Sequence, residues 1–353
     1  MTIILIFYWI FKVKGKEINT QIEINDDRYK KLRKWLSSHS GEPYQKIELA
    51  SFDASFRRYF RVFKRETSFI VMDAPPERED CQAFIKIAEL FNKMNLAVPI
   101  LIDIDLSQGF LLMSDLGEKQ YLDILTSRTS KADCLYNDAL HALIRLQEQG
   151  KLFSKLFQSY DKEMIESEMM LFIEWFYYKE LNLKFNKSQI EQWQRCIHTL
   201  YLNARNQPQV LVHRDYHSRN LMYLSENNPG ILDFQDAVIG PITYDVVSLL
   251  RDCYISLPEE KVYKFALKFY ENIDSCLKTR MNRKEFLKFF DLMGIQRHLK
   301  AIGIFARLKH RDGKGNYLKD IPRTLKYIFN VSAKYSELDF LKVLVERQCS
   351  TYK

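Results

Sequence analysis

The sequence predicts an α+β fold in two lobes, a β-rich amino-terminal lobe followed by a mostly helical carboxyl-terminal one. Three observations predict it. Residues 48–114 read as short strands interrupted by one helix; helical periodicity dominates 133–204 and returns from about 243 to 348; and between those helical blocks lie short apolar runs ending in Asp and Asn. The chain has 353 residues, 46% hydrophobic and 28% charged, which is ample material for the core of a soluble globular protein.

Regular structure is expected from Asp26, where Asp26-Asp27 can cap a helix over 28–36. Strands follow at 48–52 and 56–63 around the turn Ser51-Phe-Asp-Ala-Ser55, then at 68–73, ended by Pro75-Pro76. Phe84, Ile87, Ala88, Phe91 and Met94 fall on one face of a helix. Strands at 100–104 and 110–113 complete the first lobe, which Ser114-Asp-Leu-Gly117 closes. In the second lobe, Ile165, Met169, Phe172, Ile173 and Phe176 form a helical stripe. Residues 209–212, 221–224 and 231–234 read as short buried strands, with a turn at Asn227-Asn-Pro-Gly230. The expected division is 26–114 for the first lobe and 115–353 for the second.

Residues 3–11 are wholly apolar and precede Lys12-Val-Lys-Gly-Lys16. Nine residues fall short of the roughly 20 that span a bilayer. A signal peptide carries its basic residues before the apolar run, whereas here they follow it. Residues 1–25 are therefore expected to stand outside the core fold, without stable membrane insertion.

Lysine and arginine (53) exceed aspartate and glutamate (45), giving a net charge of +8. The excess suits a polyanionic ligand such as a nucleotide and is too diffuse for a nucleic-acid partner. Six scattered cysteines, with no CxxC, argue for reduced thiols in a cytoplasmic protein. His213 and His217 lie close together, but no further ligands accompany them, so zinc is not expected.

The most specific stretch is Leu211-Val-His-Arg-Asp-Tyr-His-Ser-Arg-Asn-Leu-Met-Tyr223, followed by Gly230-Ile-Leu-Asp-Phe-Gln-Asp236. Asp215 stands five residues before Asn220, and Asp233 ends the next apolar run. That spacing is the one phosphoryl transfer requires: one Asp accepts the proton of the attacking hydroxyl, while an Asn and a second Asp hold magnesium. The plain alternative, turn and cap residues of an ordinary hairpin, leaves unexplained why three such groups gather at the mouths of buried strands.

These features resemble the aminoglycoside phosphotransferase/choline kinase superfamily, the small-molecule branch of the protein-kinase-like fold, over about residues 26–345. Within it the chain is similar to the bacterial cell-wall sugar kinases that act on N-acetylmuramate and N-acetylglucosamine at the anomeric hydroxyl. The stretches that carry this are Asp53-Ala-Ser-Phe-Arg-Arg-Tyr-Phe-Arg-Val62, Val71-Met-Asp-Ala-Pro-Pro76, Asp233 to Pro241 with Tyr244 to Cys253, and Gln296 to Arg307 with Arg311-Asp-Gly-Lys314. The resemblance implies ATP and magnesium as cofactors, a sugar α-1-phosphate product and a role in peptidoglycan recycling in a Gram-negative cytoplasm. A kinase of an aminoglycoside, choline or homoserine would share the same catalytic residues.

The remaining sites are expected as follows. Asp53, Ala54 and Ser55 stand where a glycine-rich phosphate loop would be, with Arg57 and Arg58 supplying charge. Arg57 and Arg61 share one strand face and Arg58 the other. The usual third-strand lysine is missing from Ser68-Phe-Ile-Val-Met-Asp73, and Arg58 is the favoured replacement, with Glu89 as its candidate partner. Met113, Asp115 and Leu116 form the hinge for the adenine edge. His217, Gln235, Asp236, Arg251, Asp252, Arg297, His298 and Arg307 are the candidate sugar contacts. Arg297 or Arg307 is expected to meet the lactyl carboxylate of N-acetylmuramate. No activation loop fits between Asp233 and Tyr244, so Arg214 needs a structural partner, for which Asp245 is the candidate.

Overall fold

Period-two alternation over residues 46–114 builds one antiparallel sheet. Its strands are β1 (Lys46–Phe52), β2 (Arg58–Lys64), β3 (Thr67–Asp73), β4 (Leu101–Asp105) and β5 (Phe110–Ser114), ordered β1-β2-β3-β5-β4. The structure is a computed structural model describing residues 26–39, 44–52, 56–127 and 130–351. The leader at 1–25 and the loop residues Asp53, Ala54 and Ser55 lie outside the described residues.

The two faces of the sheet have different neighbours. Phe60, Val62, Val71, Phe110 and Leu112 form a small core with Leu32, Trp35 and Leu36 of α1 (Asp27–His39). Met72, Leu111 and Met113 point the other way and join the main core with α2 (Cys81–Lys93). The Asp80 side chain caps α2 by accepting from the Gln82 amide, and Phe84, Ile87, Ala88 and Phe91 form its buried face.

The carboxyl-terminal region is helical. It begins with α3 (Tyr121–Thr126), α4 (Ala132–Gly150), α5 (Lys162–Leu171), which continues in π-helical turns over Phe172–Glu180, and α6 (Lys187–Asn206). Two small antiparallel pairs interrupt it: β6 (Gln209–Val212) with β9 (Val238–Pro241), and β7 (Leu221–Met222) with β8 (Gly230–Ile231). Then come α7 (Tyr244–Leu250), α8 (Glu259–Asn272), α9 (Ser275–Lys278), α10 (Arg283–Asp312), α11 (Ile321–Ser332) and α12 (Asp339–Thr351).

Helix α10 forms the axis of this region. Asn282 and Glu285 form a capping box at its start, and Gly313, at φ +70°, ends it in the left-handed conformation that glycine adopts readily. Midway along it, Gly303 lets α5 come close, because a Cβ there would stand 2.4 Å from the Leu171 carbonyl carbon. Among the described residues no helix is long and apolar enough to cross a membrane.

The expected strands at 221–224 and 231–234 each shrink to two residues. The second stops short because Asp233 takes φ +62°, outside the extended region. That break turns the chain at the end of β8 and places a carboxylate there.

Candidate active site

Strand β6 delivers the loop His213 to Asn220 to the centre of the molecule, and three groups hold its backbone. His213 is buried with Nε2 bonded to the Leu232 carbonyl at 3.0 Å, while its Nδ1 accepts the Asp215 amide at 3.2 Å. Both contacts need a neutral ring with the proton on Nε2, and burial pushes its pKa down to about 4. The buried Asp245 carboxylate accepts the amides of His213 (2.6 Å) and Arg214 (3.0 Å). Asp252 accepts the Ser218 amide (2.9 Å) and hydroxyl (2.5 Å) on one oxygen and the Tyr254 amide (2.7 Å) on the other. Arg214 takes φ +78°, a strained value for a non-glycine residue, as the chain turns towards Asp215.

The loop brings the motif residues together. Asn220 Nδ2 donates to the Asp215 carbonyl at 3.0 Å and to Asp233 Oδ2 at 3.1 Å. Gln235 Nε2 donates to Asp233 Oδ1 at 2.7 Å. Phe234, the next residue, packs against Phe84 and Phe91 of α2 at 5.0 and 5.5 Å, which fixes the Asp233 backbone. With its nitrogen used twice, Asn220 offers its amide oxygen beside a carboxylate. Such oxygen donors fit a hard divalent cation such as magnesium, which keeps water and phosphate oxygens as its other ligands. Among the described residues no three His, Cys, Asp or Glu side chains form a metal cluster.

Asp215 sits in a cationic environment. Burial alone would raise its pKa, but Lys300, Arg297, His217 and Arg214 together hold it well below the usual carboxylate range. The Arg297 guanidinium lies over the Tyr244 ring at 4.6 Å and donates to the Arg214 carbonyl. Lys300 pairs with Glu168 at 3.0 Å and reaches the Tyr244 hydroxyl at 3.2 Å. Glu168 also takes Arg214 at 2.6 Å, Gln296 at 2.8 Å and the Tyr160 hydroxyl. The expected Arg214–Asp245 side-chain pair is therefore corrected: Asp245 binds the Arg214 amide, and the guanidinium goes to Glu168.

Three expected sugar contacts are internal instead. The Arg251 side chain is fully buried, paired with Asp291 (2.9 Å) and Glu259 (3.1 Å) and flanked by Tyr263 and Phe290. His298 bonds the Arg251 carbonyl at 2.9 Å and stacks on Tyr327. Asp252 has both oxygens committed to loop amides and a hydroxyl. Each is buried and held by internal partners, so these three support the loop and α10. His217, Gln235, Arg297 and Arg307 are partly exposed and Asp236 is exposed.

On the sheet side, Arg58 is also corrected. The register pairs Arg58 with Asp73, on the α1 face of the sheet. Its guanidinium is held there by Asp73 and Asp26 over the Phe60 ring, away from the main core. The neighbouring Arg57 is buried and meets Glu79 at 3.0 Å, just before α2. Glu89, expected to orient this cation, is exposed. At the end of β5, Met113 is buried, and Asp115 is bound by Arg61 (2.6 Å), Ser68 (2.7 Å) and the Gly117 amide (2.9 Å). The Asp115 side chain thus shapes the turn in which Leu116 stands.

The sequence model of the phosphotransferase enzyme family matches residues 46–274, spanning the sheet and the whole His213–Asn220 loop. The chain belongs to that family. Among relatives of this phosphotransferase, the N-acetylmuramate/N-acetylglucosamine kinase of Pseudomonas aeruginosa is 42% identical over 325 residues, covering 89% of this chain and 95% of that one. The protein of the same name from Neisseria meningitidis is 40% identical over 319 residues, covering 89% and 94%. The ADP-bound aminoglycoside phosphotransferase APH(2'')-Ib shares the fold, with a TM-score of 0.57 at 17% identity over 86% of this chain and 98% of that one.

Several residues of the phosphotransferase site carry no sequence signal. Glu168, Lys300 and Glu79 meet partners that are remote in the chain or in irregular backbone.

Proposed function

We propose that this phosphotransferase moves the γ-phosphoryl group of ATP to the C1 hydroxyl of N-acetylmuramate and N-acetylglucosamine. The products are the sugar α-1-phosphates, made in the cytoplasm for peptidoglycan recycling. The observation that carries the reading is the convergence of Asp215, Asn220 and Asp233 on one small volume, linked by bonds of 3.0 and 3.1 Å. The choice of sugar is supported by relatives of that name at 40–42% identity along most of the chain.

Asp215, ionised in its cationic surroundings, accepts a hydrogen bond from the sugar hydroxyl, aims it at phosphorus and takes its proton as the bond forms. Asn220 through its amide oxygen and Asp233 through its carboxylate would hold magnesium, while Gln235 keeps the Asp233 carboxylate in one rotamer. Magnesium supplies charge that screens the phosphate oxygens. Arg57, just before β2 and held by Glu79, would supply charge to the phosphates, and the backbone of Met113 to Leu116 would meet the adenine edge. Most of the acceleration then comes from positioning and fixed charge, as a loose phosphoryl transition state requires.

An ADP-release assay over amino sugars, an aminoglycoside and choline tests the reading. Turnover is expected with both amino sugars and magnesium. Brisk turnover of choline or the aminoglycoside, with neither sugar used, would overturn the substrate while leaving the fold intact.

A further inference from the structure

We propose that Arg219 is the receptor for an anionic substituent on the sugar, the lactyl carboxylate of N-acetylmuramate, held ready between Tyr254 and Tyr317 beside the catalytic loop. The proposal rests on the sugar-kinase reading above and adds the residue that separates its two substrates.

The other arginines close to the catalytic loop are committed. Arg214 is bound by Glu168, Arg251 by Asp291, and Arg297 by the Arg214 carbonyl and the Tyr244 ring. Arg219 differs. Its guanidinium carbon lies 4.7 Å from the Tyr254 ring centre and 5.5 Å from that of Tyr317. Among the described residues no carboxylate lies within ion-pair distance of it, and its hydrogen bonds go to the neutral hydroxyls of Tyr254 and Tyr317. Asp320, whose charge it does feel, is bound by Arg323.

The clamp itself is anchored. Tyr254 is fixed by its amide bond to Asp252 and packs edge-on against His217 at 5.2 Å. Tyr317 stacks on Phe305 at 5.8 Å, and Phe305 also meets Tyr254 at 6.0 Å. The two tyrosines therefore hold the cation through both their rings and their hydroxyls, and a guanidinium with five N–H donors keeps others for a planar acceptor. A carboxylate is such an acceptor, and a fork of two parallel N–H···O bonds is the strong form of the contact.

Its lack of a carboxylate or carbonyl partner selects this arginine over Arg297, and its place in the loop selects it over Arg307. Arg219 is four residues from the base and adjacent to Asn220, and Tyr254 links it to His217. In N-acetylmuramate the lactyl ether is on C3, with one ring carbon, C2, between it and C1. A sugar whose C1 hydroxyl meets Asp215 thus carries its carboxylate at the range of a neighbouring side chain. Arg307 lies ten residues further along α10 from Arg297, beside Arg311.

The test is the ratio of kcat/KM for N-acetylmuramate to that for N-acetylglucosamine, in the wild type and in Arg219→Met. Loss of charge-assisted hydrogen bonds should lower this ratio about tenfold or more, mainly through KM for N-acetylmuramate. Arg219→Lys should recover part of it. An equal loss for both sugars, or an unchanged ratio, would overturn the proposal. A second measurement needs only the wild type: N-acetylmuramate should be preferred over its methyl ester by a similar factor. Equal use of acid and ester contradicts an anion receptor even if the Met variant does not fold. Failure of the wild type to use either sugar would instead strike the sugar-kinase reading, and this proposal with it.

Discussion

Asp215→Asn should lower kcat by about 10²–10⁴-fold while leaving nucleotide affinity close to wild type. The substitution keeps the shape of the side chain and the amide bond from Asp215 to His213, so the loop stays in place. What it removes is the proton acceptor and the negative charge facing Lys300 and Arg297. Because those cations hold the carboxyl well below its usual range, Asp215 remains ionised throughout the pH range of a folded protein. An acid limb in the rate profile near pH 4 to 6 should therefore come from another group. Initial rates and nucleotide titration calorimetry check both halves, and near-normal turnover in the variant would rule Asp215 out as the base. Asp233→Asn should behave differently, raising the magnesium concentration needed for half-maximal rate as well as slowing turnover.

Glu168→Ala should destabilise the fold by roughly 3–5 kcal/mol, the cost of leaving buried charge without its partner. Glu168 is buried and is the shared acceptor for Arg214, Lys300, Gln296 and Tyr160. Its loss strands two cations beneath the catalytic loop, so activity should fall along with stability. The acid side of the stability profile carries the same signature. Burial would raise the Glu168 pKa, but Lys300 and Arg214 lower it below 4.5. The stability this contributes is fully present above 4.5 and is lost as pH falls through the lowered value. Glu168→Gln should therefore be less stable than wild type near neutrality and show a shallower decline towards low pH. Urea midpoints measured across that range decide it; a variant with wild-type midpoints at neutral pH would mean that the network carries no net stabilisation.

The meeting of Asp215, Asn220 and Asp233 was legible because its information is local. His213, Asp215 and Asn220 fall within one turn of chain, and their spacing is set by hydrogen bonds among near neighbours. The strands of the sheet and the buried face of α2 were legible through periodicity. The Arg57 and Arg58 parity was also readable, but not which face looks towards the cleft, because that depends on α1 covering the Arg58 side. The charge network escaped for a related reason. Gln296 and Glu168 are 128 residues apart, and no pattern in either helix records that they meet. Arg251, Asp252 and His298 look like pocket residues in sequence since they are polar among apolar neighbours. A buried ion pair and a loop-holding carboxylate have that same appearance, and only their committed partners tell them apart.

The most direct test of the account is where the phosphate goes. Phosphorus and carbon NMR of the product from N-acetylmuramate, ATP and magnesium should place the new phosphate on C1 in the α configuration and leave C6 free. N-acetylglucosamine should give the corresponding 1-phosphate. A C6 phosphate, or no phosphorylated sugar while another hydroxyl compound is turned over, would contradict it.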